Sequence, residues 1–171
     1  MRKRRWILAV VAVLALPAGM MFSQQKAQPP KAPPGVPENE LVDYMISEML
    51  AAWQIGDTNL LHTYYADDVS VVSGAYEPPL IGWAKFLQAY QQQRARIQSV
   101  QVTRRNTYTV VRGNLAWCAY QWEFGGVVEG NNVFFRGHTT LVMEKRGGKW
   151  AIVHNHTSVV PETPPAAPPK Q

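Results

Sequence analysis

The sequence predicts an α+β domain in which three N-terminal helices pack on a strongly curved antiparallel sheet, forming a cone with a central pocket. Three observations predict it. Apolar residues recur at helical spacing through the first half of the folded part. They then switch to alternation at period two. The turn residues RGN (112–114) and RGGK (146–149) divide that alternating half into long strands joined as a meander.

The ends of the chain stand apart from this pattern. Arg2, Lys3, Arg4 and Arg5 precede an uncharged apolar run over 6–22. This is the layout of an export signal, and the run is shorter than the ~20 residues that span a bilayer comfortably. Residues 1–23 are therefore expected to be a cleaved signal or an N-terminal anchor, with the domain periplasmic or secreted. QQKAQPPKAPPGVP (24–37) and PETPPAAPPKQ (161–171) are rich in Pro and read as a linker and a disordered tail. The folded domain is expected over 38–160.

Without the four N-terminal positive charges, thirteen basic residues face twelve acidic ones. A domain this close to neutral gives no case for nucleic acid, and membrane contact is expected only through the N-terminal segment. Cys118 is the only cysteine, which excludes an intramolecular disulfide; its apolar strand suggests a small buried hydrophobe.

Each element has its own signal. Leu41, Met45, Met49 and Trp53 recur at spacing four, Glu38 and Glu40 suit a first turn, and Gly56 suits a stop. Asp57 can cap a second short helix with Leu60, Leu61, Tyr64 and Tyr65 on its apolar face. VSVVSG is a short strand, and YEPPLIG reads as a loop. Trp83, Phe86, Leu87 and Tyr90 mark a third helix. IQSVQVTRRNTYTVV, LAWCAYQWEF, VFFRGHTTLVMEK and KWAIVHNHTSVV are the long strands, with a Gly-rich loop expected over 125–131. The basic residues of TRRNTY read as a solvated strand edge.

Strict alternation assigns the faces. Cys118, Tyr120, Trp122 and Phe124 share one face, as do Phe135, Gly137, Thr139, Leu141 and Met143. In the last strand Trp150, Ile152, His154, His156 and Ser158 share a face, expected on the concave side. His154 and His156 would stand about 7 Å apart along that strand. Asp67, Asp68 or His62 could complete a metal site, but nothing in the spacing demands it, so neither metal nor cofactor is expected.

Four stretches together resemble a known family: AAWQIGDTNLLHTYYADDV, PPLIGWAKF, GNLAWCAYQW and TTLVMEKRGGKWAIVHNHTS. They are similar to the SnoaL-like branch of the nuclear transport factor two superfamily, with the flavour of the calcium/calmodulin-dependent kinase II association domain. The resemblance implies a ketosteroid-isomerase-like cone, often dimeric, whose members include isomerases, dehydratases, cyclases, binding proteins and oligomerisation hubs; fold alone does not choose among them. Isomerases on this fold use a pocket carboxylate as base and a tyrosine as oxyanion donor. The matching candidates are His156 or Asp67 as base and Tyr120, Tyr64 or Tyr65 as donor. The kinase-association relatives carry arginines deep in the pocket, where this chain aligns Trp122 and Leu141. An apolar lining of Trp53, Tyr64, Trp83, Phe86, Tyr90, Trp122 and Leu141, with His154 and Ser158 toward the mouth, suits a small apolar or aromatic ligand. The expected partners are that small molecule and a second copy of the chain in a homodimer. Catalysis, or an oligomerisation module without ligand, are the alternatives.

Overall fold

The structure, a computed structural model, describes residues 35–161. The expected export signal or anchor over 1–23, nearly all of the expected linker over 24–37 and the expected tail over 161–171 lie outside the described residues, apart from 35–37 and Pro161. No helix among the described residues is long and apolar enough to cross a membrane.

Three helices pack on one face of a six-stranded sheet. Helix α1 (Glu38–Ile55) carries Glu38 and Glu40 in its first turn and ends at Gly56. Gly56 holds φ +81°, and its N–H bonds the Ala52 carbonyl, a left-handed cap that glycine adopts without steric cost. Asp57 caps α2 (Thr58–Tyr64) by accepting the Leu60 N–H at 2.9 Å. Helix α3 (Trp83–Arg94) follows two strands and buries Trp83, Phe86 and Tyr90.

The strands are β1 (Tyr65–Ser73), β2 (Tyr76–Ile81), β3 (Ile97–Arg112), β4 (Leu115–Val128), β5 (Asn131–Arg146) and β6 (Lys149–Val159). Their order is β2-β1-β6-β5-β4-β3, and the curved sheet does not close. The antiparallel meander β3–β6 is as expected, but β1 pairs parallel with β6, so the sheet is mixed. The expected loop YEPPLIG is β2, an edge strand whose two prolines need no ladder partner on the open side. Most of the expected Gly-rich loop continues β4 to Val128, and Gly126 there lies so close to the Ser99 carbonyl of β3 that a Cβ would sit 2.3 Å from it. Tyr65 opens β1 instead of closing α2, because the chain turns extended there.

The core lies between helices and sheet. Val42, Ile46, Met49 and Ala52 of α1 meet Ala116, Cys118, Leu141, Met143 and Ile152 of the concave face. The α1 stripe expected at Leu41, Met45 and Trp53 is half-buried, so the buried stripe is rotated by about one residue. Burial along the concave face then falls from the Ala116–Met143–Ile152 end toward Phe124, Phe135 and Val159, the latter two 47% and 58% exposed. The cone therefore opens at the Phe124–Phe135 end.

Candidate functional site

One irregularity in β6 decides which side chains enter the cone. Ile152 lies opposite Met143, yet His154 lies opposite Val142, so Val153 is an extra residue: a β-bulge. Beyond it the parity of the strand is reversed. Asn155 pairs with Leu141 and Thr157 with Thr139, both on the concave face. His154, His156 and Ser158 pair with Val142, Thr140 and His138 on the convex face. The expected face of these three is thereby corrected.

The side chains that do enter form a hydrogen-bonded row. Asn155 Nδ2 donates to Tyr65 Oη at 2.9 Å. Thr157 Oγ1 donates to Asn155 Oδ1 at 3.0 Å and lies 2.9 Å from Thr139 Oγ1. Tyr120 is the cross-strand neighbour of Thr139. Tyr65 also directs its hydroxyl at the Met49 sulfur, 3.7 Å away. Burial raises both tyrosine hydroxyls well above the usual phenol range, only partly offset by hydrogen bonds from Asn155 and Thr139 respectively. Both stay protonated, which makes them donors and not bases. Burial likewise pushes the adjacent Cys118 thiol up to about 12.

Trp122 stands between this row and the open end. Its ring lies over Gly137, where an added Cβ would meet ring carbons at 2.3 and 2.6 Å and the Ser158 carbonyl at 2.1 Å. A glycine is needed there because the indole occupies the space of a side chain. The indole Nε1 is buried without a hydrogen-bond partner. Aromatic rings continue to the mouth: Phe124 meets Trp53 edge-on at 6.4 Å and Phe135 at 6.0 Å.

Arg104 of β3 lies at the flank of the concave face, between α1 and Tyr120. Its guanidinium grips Asp43 of α1 with bonds of 2.5 and 2.9 Å, bonds Ser47 and Thr107 at 2.8 Å each, and sits 5.9 Å above the Tyr120 ring. Arg104 holds the Asp43 carboxyl below the usual carboxylate range. The pair is neutral as a unit, so this arginine offers no free charge. TRRNTY is thus not simply a solvated edge; Arg104 is only 13% exposed in its side chain.

The residues singled out in the sequence fall into separate places. Tyr64, Trp83, Phe86, Tyr90 and Leu141 belong to one core cluster, with Trp53 and Trp122 packed against it. Tyr120 is buried on the concave face, in the same core cluster. His156 is exposed on the opposite face of the sheet. Asp67 is exposed and accepts from His62 Nε2 at 2.7 Å, while the His62 ring stacks on Trp83 at 4.4 Å. Along β1, Asp67 is five residues, about 16 Å, from Val72, the neighbour of His156. The structure does not bring Tyr120, His156 and Asp67 together. His154 Nδ1 instead bonds Ser70 Oγ at 2.7 Å. No group of three metal-ligating side chains occurs among the described residues.

The profile of the SnoaL-like domain family matches residues 42–162. The chain belongs to the SnoaL-like family. Solved structures agree on the fold. A Xanthomonas campestris protein named for a calcium/calmodulin-dependent protein kinase II association domain has 20% identity over 78% of this chain and 95% of its own, with a TM-score of 0.66. A nuclear transport factor 2-like superfamily protein of Salmonella enterica has 19% identity over 73% and 92%, with a TM-score of 0.66. A ketosteroid isomerase-like protein of Erwinia carotovora has 14% identity over 73% and 98%, with a TM-score of 0.64. No curated protein matches the chain in sequence.

Proposed function

We propose that this SnoaL-like domain binds a small, neutral, largely apolar molecule carrying a carbonyl or similar acceptor, held between the helices and the concave face. The observation that carries the reading is the neutral polar row Tyr65–Asn155–Thr157–Thr139, which continues past Tyr120 to an indole N–H without a partner. Burying such groups among Leu141, Met143 and Cys118 costs stability unless they are bonded. Trp122 Nε1 alone lacks a partner in that row, and a ligand acceptor satisfies it. The lumen favours uncharged ligands because its one flanking cation is already neutralised by Asp43.

The geometry supports binding over proton abstraction. Tyr65 and Tyr120 are held protonated, Asp43 is engaged by Arg104, and Asp67 and His156 lie elsewhere. An exported domain, working as a homodimer, completes the proposal; a reporter fused after residue 37 and native mass spectrometry check these two parts.

The test is a thermal-shift panel of a steroid ketone, an aromatic lactone and an aromatic carboxylate, with Tyr120→Phe run in parallel. A saturable rise in Tm with the neutral compounds, and none with the carboxylate, is expected. A shift from the carboxylate alone overturns the reading.

A further inference from the structure

Strand β3 is one edge of the sheet, so every second residue turns its backbone N–H and C=O away from β4. The hairpin turn tells which. Two residues join β3 to β4, and Arg112 lies opposite Leu115 across that tight loop, which makes them a hydrogen-bonded pair. Val110 and Tyr108 then bond β4 as well, and Thr109 and Val111 direct their backbone groups outward. In the first half of the strand the same alternation turns Val102 outward, and its N–H donates to Gln54 Oε1 at 2.7 Å. The Ile97 carbonyl at the start of the strand accepts from Arg94 Nη1 at 2.8 Å. Side chains thus cover the early part of the edge. None of the described residues covers the outward groups of Thr109 and Val111.

The open run is bounded at both ends. It begins after a bulge, where the β3 register shifts between Arg105 and Tyr108 and Asn106 takes φ +51°, and it stops at the turn residue Gly113, with φ +59°. Val110 stands midway between Thr107 and Gly113. Thr, Tyr and Val are the residues that favour strand pairing. The helix leaves this part of the edge accessible: a groove of about 620 Å³ has Tyr44 and Ser47 of α1 on one side and Thr107 and Thr109 on the other. On the convex face the run carries Tyr108, Val110 and Arg112, opposite Ala119, Trp117 and Leu115. Tyr108 is 65% exposed. Arg112 is exposed and makes no ion pair among the described residues.

We propose that β3 pairs antiparallel with β3 of a second copy of this chain, about a two-fold axis at Val110, so that two sheets continue as one. The proposal rests on the homodimer reading above and assigns its surface. Thr109 and the partner's Val111 exchange both backbone bonds, and the axis repeats the pair, so the uncovered groups of both residues are used. Val110 meets the partner's Val110 as a non-hydrogen-bonded pair, with Cα atoms about 4.5 Å apart. Tyr108 meets the partner's Arg112, which gives the exposed ring a cation and the guanidinium a partner on each side of the axis. The bulge of one copy lies beside the turn of the other, so the pairing ends at the same place in both.

The test uses the full-length chain, kept soluble with a mild detergent. Val110→Cys treated with diamide is expected to form a disulfide-linked dimer, because Cα atoms at that spacing lie within disulfide reach. The wild type, whose cysteine is buried, should stay unlinked. Thr109→Pro removes an outward N–H and leaves the bonds to β4 in place. It is expected to raise the dimer dissociation constant, read by native mass spectrometry over a dilution series, by about tenfold or more. Val110→Lys sets two ammonium groups face to face across the axis and should weaken the dimer similarly; it carries the test should Thr109→Pro alter melting. With the wild type dimeric, absence of the cross-link, or an unchanged dissociation constant in both variants, overturns the proposal and leaves the homodimer reading standing on another surface. A wild type that stays monomeric at micromolar concentration removes both.

Discussion

Replacing Asn155 and replacing His156 should have very different effects, although the two are adjacent in an all-polar stretch. Asn155 is the hydrogen-bond partner of the hydroxyl of Tyr65, a residue only 3% exposed whose hydroxyl otherwise reaches only the Met49 sulfur, and it also accepts from Thr157. Asn155→Ala leaves the buried Tyr65 hydroxyl and the half-buried Thr157 hydroxyl each short of a partner. An orphaned buried polar group costs ~1–3 kcal/mol. Thr157 keeps Thr139, so most of the loss falls on Tyr65, and the expected destabilisation is about 2 kcal/mol. For a domain of this size that corresponds to a fall in Tm of roughly 6–10 °C. His156 is exposed, with no hydrogen bond among the described residues, and His156→Ala should stay within about 0.5 kcal/mol, or ~2 °C. Paired melts followed by far-UV circular dichroism check both. If His156→Ala destabilises as much as Asn155→Ala, the bulge at Val153 is misplaced and the argument for the lumen fails with it.

Other consequences are open to measurement. Asp43→Asn should cost about 1–2 kcal/mol by weakening the charge-assisted bonds of a mostly buried guanidinium. Arg104 lowers the folded pKa of Asp43, so its contribution is complete above the unfolded value near 4 and is lost as pH falls through the folded value. The wild type should thus lose more stability than Asp43→Asn between pH 5 and 2, and parallel curves would refute this. Gly137→Ala forces the Ser158 carbonyl and the Trp122 ring apart, with an expected cost of about 2–3 kcal/mol and a changed near-UV tryptophan signal; an unchanged spectrum contradicts the packing. Cys118 is fully buried with its thiol pushed up to about 12, so a thiol reagent at pH 8 should react only after denaturant is added; rapid labelling of the native protein would refute that burial.

The fold was legible because each half of the domain has one unambiguous period. Gly56 and Asp57 gave the first two helix boundaries by their chemistry, and the faces of β4 and β5 followed from apolar residues at every second place. The site was less legible. In VHNHTS every residue after Val153 is polar, so alternation there carries no information about which side is buried, and a bulge leaves no trace in composition. The conspicuous histidines therefore drew the eye while Asn155, Thr157 and Thr139 did the bonding. Arg104 was missed because its charge was counted with exposed neighbours; its partner Asp43, 61 residues earlier, is joined to it only by the packing of α1 on β3. The parallel pairing of β1 with β6 is likewise a long-range choice that local pattern does not record.

The most direct test of the central claim is a calorimetric titration of a steroid ketone and an aromatic lactone into the wild type and Trp122→Phe. That substitution removes the unpartnered indole N–H and keeps an aromatic ring over Gly137. The account predicts saturable binding to the wild type, weakened roughly tenfold in the variant by the loss of one neutral hydrogen bond. Equal affinity in the two proteins, or heat only from an aromatic carboxylate, would contradict a lumen built to hold a neutral acceptor at Trp122.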